Sequence, residues 1–105
     1  MNKEQFVSEF QSTLKYMEET MLRKNHDYSG GDKETNPFKN FELVSQLSIT
    51  SVERGIMVRI CDKVSRIVSL MDNEAKVNDE SKIDTCVDAA NYFIILSLYL
   101  KSKSQ

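Results

Sequence analysis

The chain has little punctuation: one proline, three glycines, two cysteines and no tryptophan. Cys61 and Cys86 are too few for a disulfide framework and lack the spacing of a metal motif. Each falls inside an apolar helical pattern, so both are expected as small core residues. There is no excess of either charge. Fourteen basic residues face sixteen acidic ones, for a net charge of -2, and such a balance argues against general binding to a nucleic-acid backbone. The opening residues MNKEQFVSEF carry no apolar run and no cleavage site, so no signal peptide is expected and the cytoplasm is the expected compartment. With 40% hydrophobic and 29% charged residues, neither disorder nor a membrane span is expected.

The 105 residues suit one domain, 1–105, with a modest core. Pro37 and the pair Gly30-Gly31 fall in one stretch, which leaves long uninterrupted elements on either side. Phe6, Phe10, Leu14, Met17 and Met21 recur every three or four residues and predict a helix from about Asn2 to His26. Asp27 to Pro37 (DYSGGDKETNP) reads as a loop, long enough to be functional or mobile. Phe38, Phe41, Val44 and Leu47 predict a short helix ending near Ser48. Thr50-Ser51-Val52-Glu53 reads as a capping box. Val52, Ile56, Ile60, Val64, Ile67 and Met71 then form a stripe more than five turns long. The segment 72–79 (DNEAKVND) reads as a turn, followed by a helix from about Glu80 to Lys101 and a polar tail, 102–105. No period-2 alternation occurs, so the fold class is all-α: a helical bundle of three long helices and one short one.

The last helix is unusual. At 100° per residue, Glu80, Asp84, Asp88 and Asn91 fall within about 80° of one another. Apolar residues bracket that sector, and from Cys86 to Leu100 the helix is apolar nearly all round, as buried helices are. A carboxylate placed there needs a partner or a cation. Two solutions stand side by side. Arg59, Lys63 and Arg66, which share one edge of the preceding helix with Asp62, can neutralise Asp84 and Asp88. Alternatively Glu80, Asp84 and Asp88, with Asp62, can hold Mg²⁺ beside a phosphate-bearing ligand, since that ion favours a few carboxylates plus phosphate oxygens.

The loop supplies a second group. Tyr28 precedes the two glycines, and Asn40 and Phe41 follow them. Rings can stack on a base and amides can read its edge; the plainer reading is a polar loop pinned by two core phenylalanines. His26, at a helix end, reads as a C-terminal capping residue. Tyr92 reads as core or interface, and Tyr16 and Tyr99 as packing residues.

The ordered series DY, NF, R-x-x-DK-x-x-R and DE-x-x-x-DT-x-x-D-x-x-NY, spread over Lys24 to Leu100, resembles the phage and bacterial nucleotide modification associated domain family, type one. The resemblance implies a phage-type protein of the host cytoplasm. At the level of fold the arrangement is similar to the all-α nucleoside triphosphate pyrophosphohydrolases, the MazG and dimeric dUTPase group. Those enzymes hold Mg²⁺ with E-x-x-E on one helix and E-x-x-D on the next, and cleave between the α- and β-phosphates. The likeness maps the second motif onto Asp84 and Asp88 and the first onto Glu53 or Asp62, although no E-x-x-E precedes Asp62.

Two functional expectations follow. In the first, Asp84 and Asp88, with Glu80 and Asp62, hold Mg²⁺ on a nucleoside triphosphate. Arg59, Lys63 and Arg66 then neutralise developing charge, and Tyr28, Asn40, Phe41 and Asn91 contact the nucleotide. In the second, the protein sequesters a nucleotide or a nucleotide-derived immune signal without turnover, and the basic row meets the phosphates. Either way the apolar last helix predicts a homo-oligomer, a dimer or tetramer, joined through it or the third helix.

Overall fold

A computed structural model describes residues 1–31, 33, 35–73 and 79–104, apart from the side chains at 29 and 79. Among the described residues there are helices and no strands: α1 (Lys3–Ser29), α2 (Lys39–Gln46), α3 (Val52–Asp72) and α4 (Asp79–Lys103). The chain divides into two compact units, Met1–Pro37 and Phe38–Gln105.

The first unit is α1 and the segment after it. Asn2 opens the helix with a reciprocal cap: its Oδ1 accepts from the Gln5 amide at 2.8 Å, and Gln5 Oε1 accepts from the Asn2 amide at 2.9 Å. Two orphan amides are thereby satisfied before the first turn closes. The helix runs three residues beyond the expected His26 and stops where glycine makes stopping easy. Gly30 has φ 110° and Gly31 φ 81°, left-handed values that side chains with a Cβ resist. Both their amides donate to the His26 carbonyl, so His26 serves the cap through its backbone. The chain then folds back, and Asn25 Nδ2 donates to the Pro37 carbonyl at 2.6 Å. The expected loop is thus shorter, and positions 32 and 34 lie outside the described residues. Phe6, Phe10 and Leu14 remain about half exposed.

In the second unit, α2 leads into a tight reversal. Ser48 takes φ 58°, and the amides of Ile49 and Thr50 both reach the Val44 carbonyl. The N-cap of α3 is Ser51, one residue later than the expected Thr50: Ser51 Oγ accepts from the Arg54 amide at 3.2 Å. Extended backbone at Ser51 (φ -70°, ψ 160°) places its hydroxyl over the first turn, which suits a cap. Glu53 is then one position short of completing a box, and its carboxylate meets Lys103 Nζ instead, at 3.1 Å. That contact joins the start of α3 to the end of α4, while Lys63–Asp88 joins their middles; the two helices are antiparallel. At the far end α3 stops at Asp72, and Asn73 Nδ2 caps the Ser69 carbonyl at 2.9 Å. Of the expected turn at 72–79, positions 74–78 lie outside the described residues.

The core of this unit is Phe41, Val52, Ile56 and Ile60, with Phe38, Tyr92, Ile95, Leu96 and Tyr99 packed against it. The expected phenylalanine pins are present: Phe38 meets Tyr99 edge-on at 5.3 Å, and Phe41 meets Tyr92 edge-on at 6.4 Å. Three expectations need correction. The α3 stripe reaches the core only at its first half, since Val64 and Met71 are exposed while Leu70 is buried. Cys61 and Cys86 are exposed rather than core, because each points off the helix flank away from the α3–α4 seam. Helix α4 is not buried all round: Phe93, Ile94, Leu98 and Leu100 are exposed, since α3 covers only one side. By length and composition alone α4 also qualifies to cross a membrane over Glu80–Lys103; a whole-chain average hides such a local run.

Candidate functional site

The side chains singled out on α3 and α4 fall into one paired group and several outlying residues. Arg59 and Lys63, one turn apart on α3, are both half-buried. The Arg59 guanidinium carbon lies 4.6 Å from the centre of the Phe41 ring and 6.0 Å from that of Tyr92. A planar cation held on ring faces is attracted to their electron density and keeps few rotamers. Among the described residues, no carboxylate forms an ion pair with Arg59. A half-buried guanidinium lying over rings is thus an orientated positive charge that forms no ion pair with an acid among the described residues.

Lys63 Nζ lies 3.5 Å from Asp88 Oδ2, with the two side chains 29% and 21% exposed. The expectation that Asp88 needs a compensating charge is met by this lysine, which is the internal-pairing solution. One turn further along α4, Asn91 is buried. Phe41 is also buried, with a guanidinium over its ring, so its face is occupied rather than open to a base. Asn40 is half-buried beside it, while Arg66 is exposed two turns beyond Arg59. Tyr28 belongs to the first unit, where it is 66% exposed.

The remaining carboxylates do not converge. Glu80, Asp84 and Asp62 are exposed. Glu80 and Asp88 are eight positions apart on one helix, about 12 Å along its axis, which is beyond the reach of one ion. Among the described residues no three His, Cys, Asp or Glu side chains come together as a metal site. Asp88, the least exposed of the set, already faces an ammonium. Among the described residues, the Mg²⁺ set read from the sequence, Glu80, Asp84 and Asp88 with Asp62, is therefore not drawn together.

Tyr92 packs against the core, as expected, but sequence reasoning did not place it beside Arg59. Its signal was available: it stands one turn after Asp88, on the side of α4 that faces α3. Its companionship with Arg59 depends on where α2 delivers Phe41, which helix periodicity does not encode. The chain matches no family model, no curated protein and no solved structure.

Proposed function

We propose that the protein binds a nucleotide or nucleotide-derived small molecule through its phosphate and holds it intact. The carrying observation is Arg59: a half-buried guanidinium packed on Phe41 and Tyr92, without a carboxylate counter-charge among the described residues. A phosphate oxygen pair is the planar acceptor that such a fork matches. Lys63 adds positive charge one turn away, and Asp88 fixes its ammonium. Arg66, exposed further along the same edge, extends the basic row toward a second phosphate. Asn40, next in sequence to Phe41, supplies the amide that this reading assigns to a base edge. Sequestration is the second of the two functional expectations that the sequence raises. It ranks above Mg²⁺-dependent cleavage because the carboxylates of one chain are dispersed and Asp88 is paired. The exposed apolar residues of α4 support self-association of the same chain.

The test is recovery of ligand. The protein is incubated with a panel of nucleoside triphosphates, cyclic dinucleotides and ADP-ribose derivatives, with Mg²⁺ present, and free ligand is measured after filtration. The expected result is depletion of one ligand class and its return unchanged after denaturation. Arg59→Ala removes the depletion, while Arg59→Lys, which keeps charge but loses the planar fork, weakens it. Release of a monophosphate and pyrophosphate would instead establish hydrolysis. No depletion of any anion would remove the binding reading.

A further inference from the structure

The outer side of α4 carries a pattern that ligand binding does not use. Ile83, Cys86, Ala90, Phe93, Ser97 and Leu100 recur at alternating spacings of three and four, the repeat of a coiled-coil seam. They lie away from the side of α4 whose Tyr92, Leu96 and Tyr99 pack on the core. Ile83, Phe93 and Leu100 are 61%, 51% and 47% exposed, and Cys86 and Ser97 are exposed as well.

The order of sizes along this seam says what covers it. If a second copy of α4 runs in the opposite direction, Ile83 meets Leu100 of that copy, Cys86 meets its Ser97 and Ala90 meets its Phe93. One layer then pairs a large residue with a small one, one pairs two small residues and one pairs two aliphatic ends, and the two-fold axis repeats every layer once. The charges agree. Glu80 stands near the start of α4 and Lys101 near its end, both on the same flank of the seam, so reversal sets Glu80 of each copy beside Lys101 of the other. On the opposite flank reversal brings Lys82 near Lys103 of the other copy, and Lys103 is turned to Glu53 of its own chain. A parallel pair would stack Phe93 on Phe93, set like charges together at both ends and align the helix dipoles. A lipid occupant fits less well, since the helix also carries Asp84, exposed, and the paired Asp88, which hydrocarbon disfavours.

We propose that α4 pairs antiparallel with α4 of a second copy of this chain, in the register that sets Ala90 against Phe93. The proposal rests on the self-association stated above and gives that association its surface and polarity.

The test uses the full chain in a Cys61→Ser background, which leaves Cys86 as the single thiol. Sedimentation equilibrium establishes the dimer, and diamide, which takes two electrons and two protons from a thiol pair, is the cross-linking oxidant. The background protein is expected to stay uncross-linked, because antiparallel pairing holds the two Cys86 residues apart. Adding Ser97→Cys is expected to give a covalent dimer on a non-reducing gel. Phe93→Glu is expected to yield a monomer of unchanged helix content, since Phe93 is half exposed. Glu80→Lys should raise the dissociation constant roughly tenfold, and Glu80→Lys with Lys101→Glu should restore it. Cross-linking of the background protein through Cys86 would mean a parallel pair and overturn the proposal, as would a dimer that Ser97→Cys leaves uncross-linked. A monomer at every concentration would remove self-association itself, and a monomer that floats with phosphatidylglycerol vesicles would assign the face to lipid.

Discussion

Glu53 and Lys103 show how one side chain ties two helix ends together. The Glu53 carboxyl is held below its ordinary value of 4.5, chiefly by a hydrogen bond from its own backbone amide and then by the Lys103 ammonium. A depressed carboxylate contributes stability above its unfolded value, and that contribution is lost as pH falls through the folded value. Unfolding midpoints followed from pH 6 to pH 3 should therefore fall less steeply for Glu53→Gln than for the parent protein, and the two curves should converge at the acid end. Asp88 makes a different case. Its pairing was legible because Lys63 and Asp88 lie on the facing edges that helix spacing assigns them. The degree of burial was not legible: apolar residues near it on a wheel do not all have a partner to bury against. With one-fifth of the side chain exposed, Asp88→Ala should cost about 1–2 kcal/mol in urea denaturation, short of the loss expected of a fully buried pair.

Helices α2 and α3 come together at a glycine. A Cβ at Gly55 would stand 2.8 Å from Val44 Cγ2, inside van der Waals contact. Alanine ordinarily stabilises a helix interior by about 1 kcal/mol over glycine. Here the clash outweighs that gain, and Gly55→Ala should lower stability by about 1 kcal/mol net, with Val44→Ala in the same chain recovering most of the loss. Thermal melts of the parent and the two variants check the sign. Element types could be read from sequence because punctuation is concentrated in one stretch and the stripes are long. Their ends were less legible. The α3 cap moved by one residue because Thr50 and Ser51 are both competent caps, and backbone direction after Ser48 chose between them. The covering of α4 was illegible for another reason: hydrophobicity all round a helix says that its faces prefer company, not that the same chain supplies it.

At the scale of the molecule, all-α character followed from periodicity alone, and the rest depends on what the exposed faces meet. If α4 is shared between copies, folding and association are linked, and the melting temperature should climb with protein concentration. Added salt should depress that climb by screening the Glu80–Lys101 contacts at either end. A calorimetric series over a hundredfold dilution checks both, and a midpoint indifferent to dilution would speak against shared faces. The stacked guanidinium has one more consequence. The chain contains no tryptophan, so an indole placed at 92, beside the Arg59 cation, would be the molecule's sole long-wavelength fluorophore. Protonated guanidinium and indole interact through the ring's electron cloud, and an arriving anion would redistribute that field. The emission colour of a single engineered residue would then report occupancy in real time, without a labelled ligand.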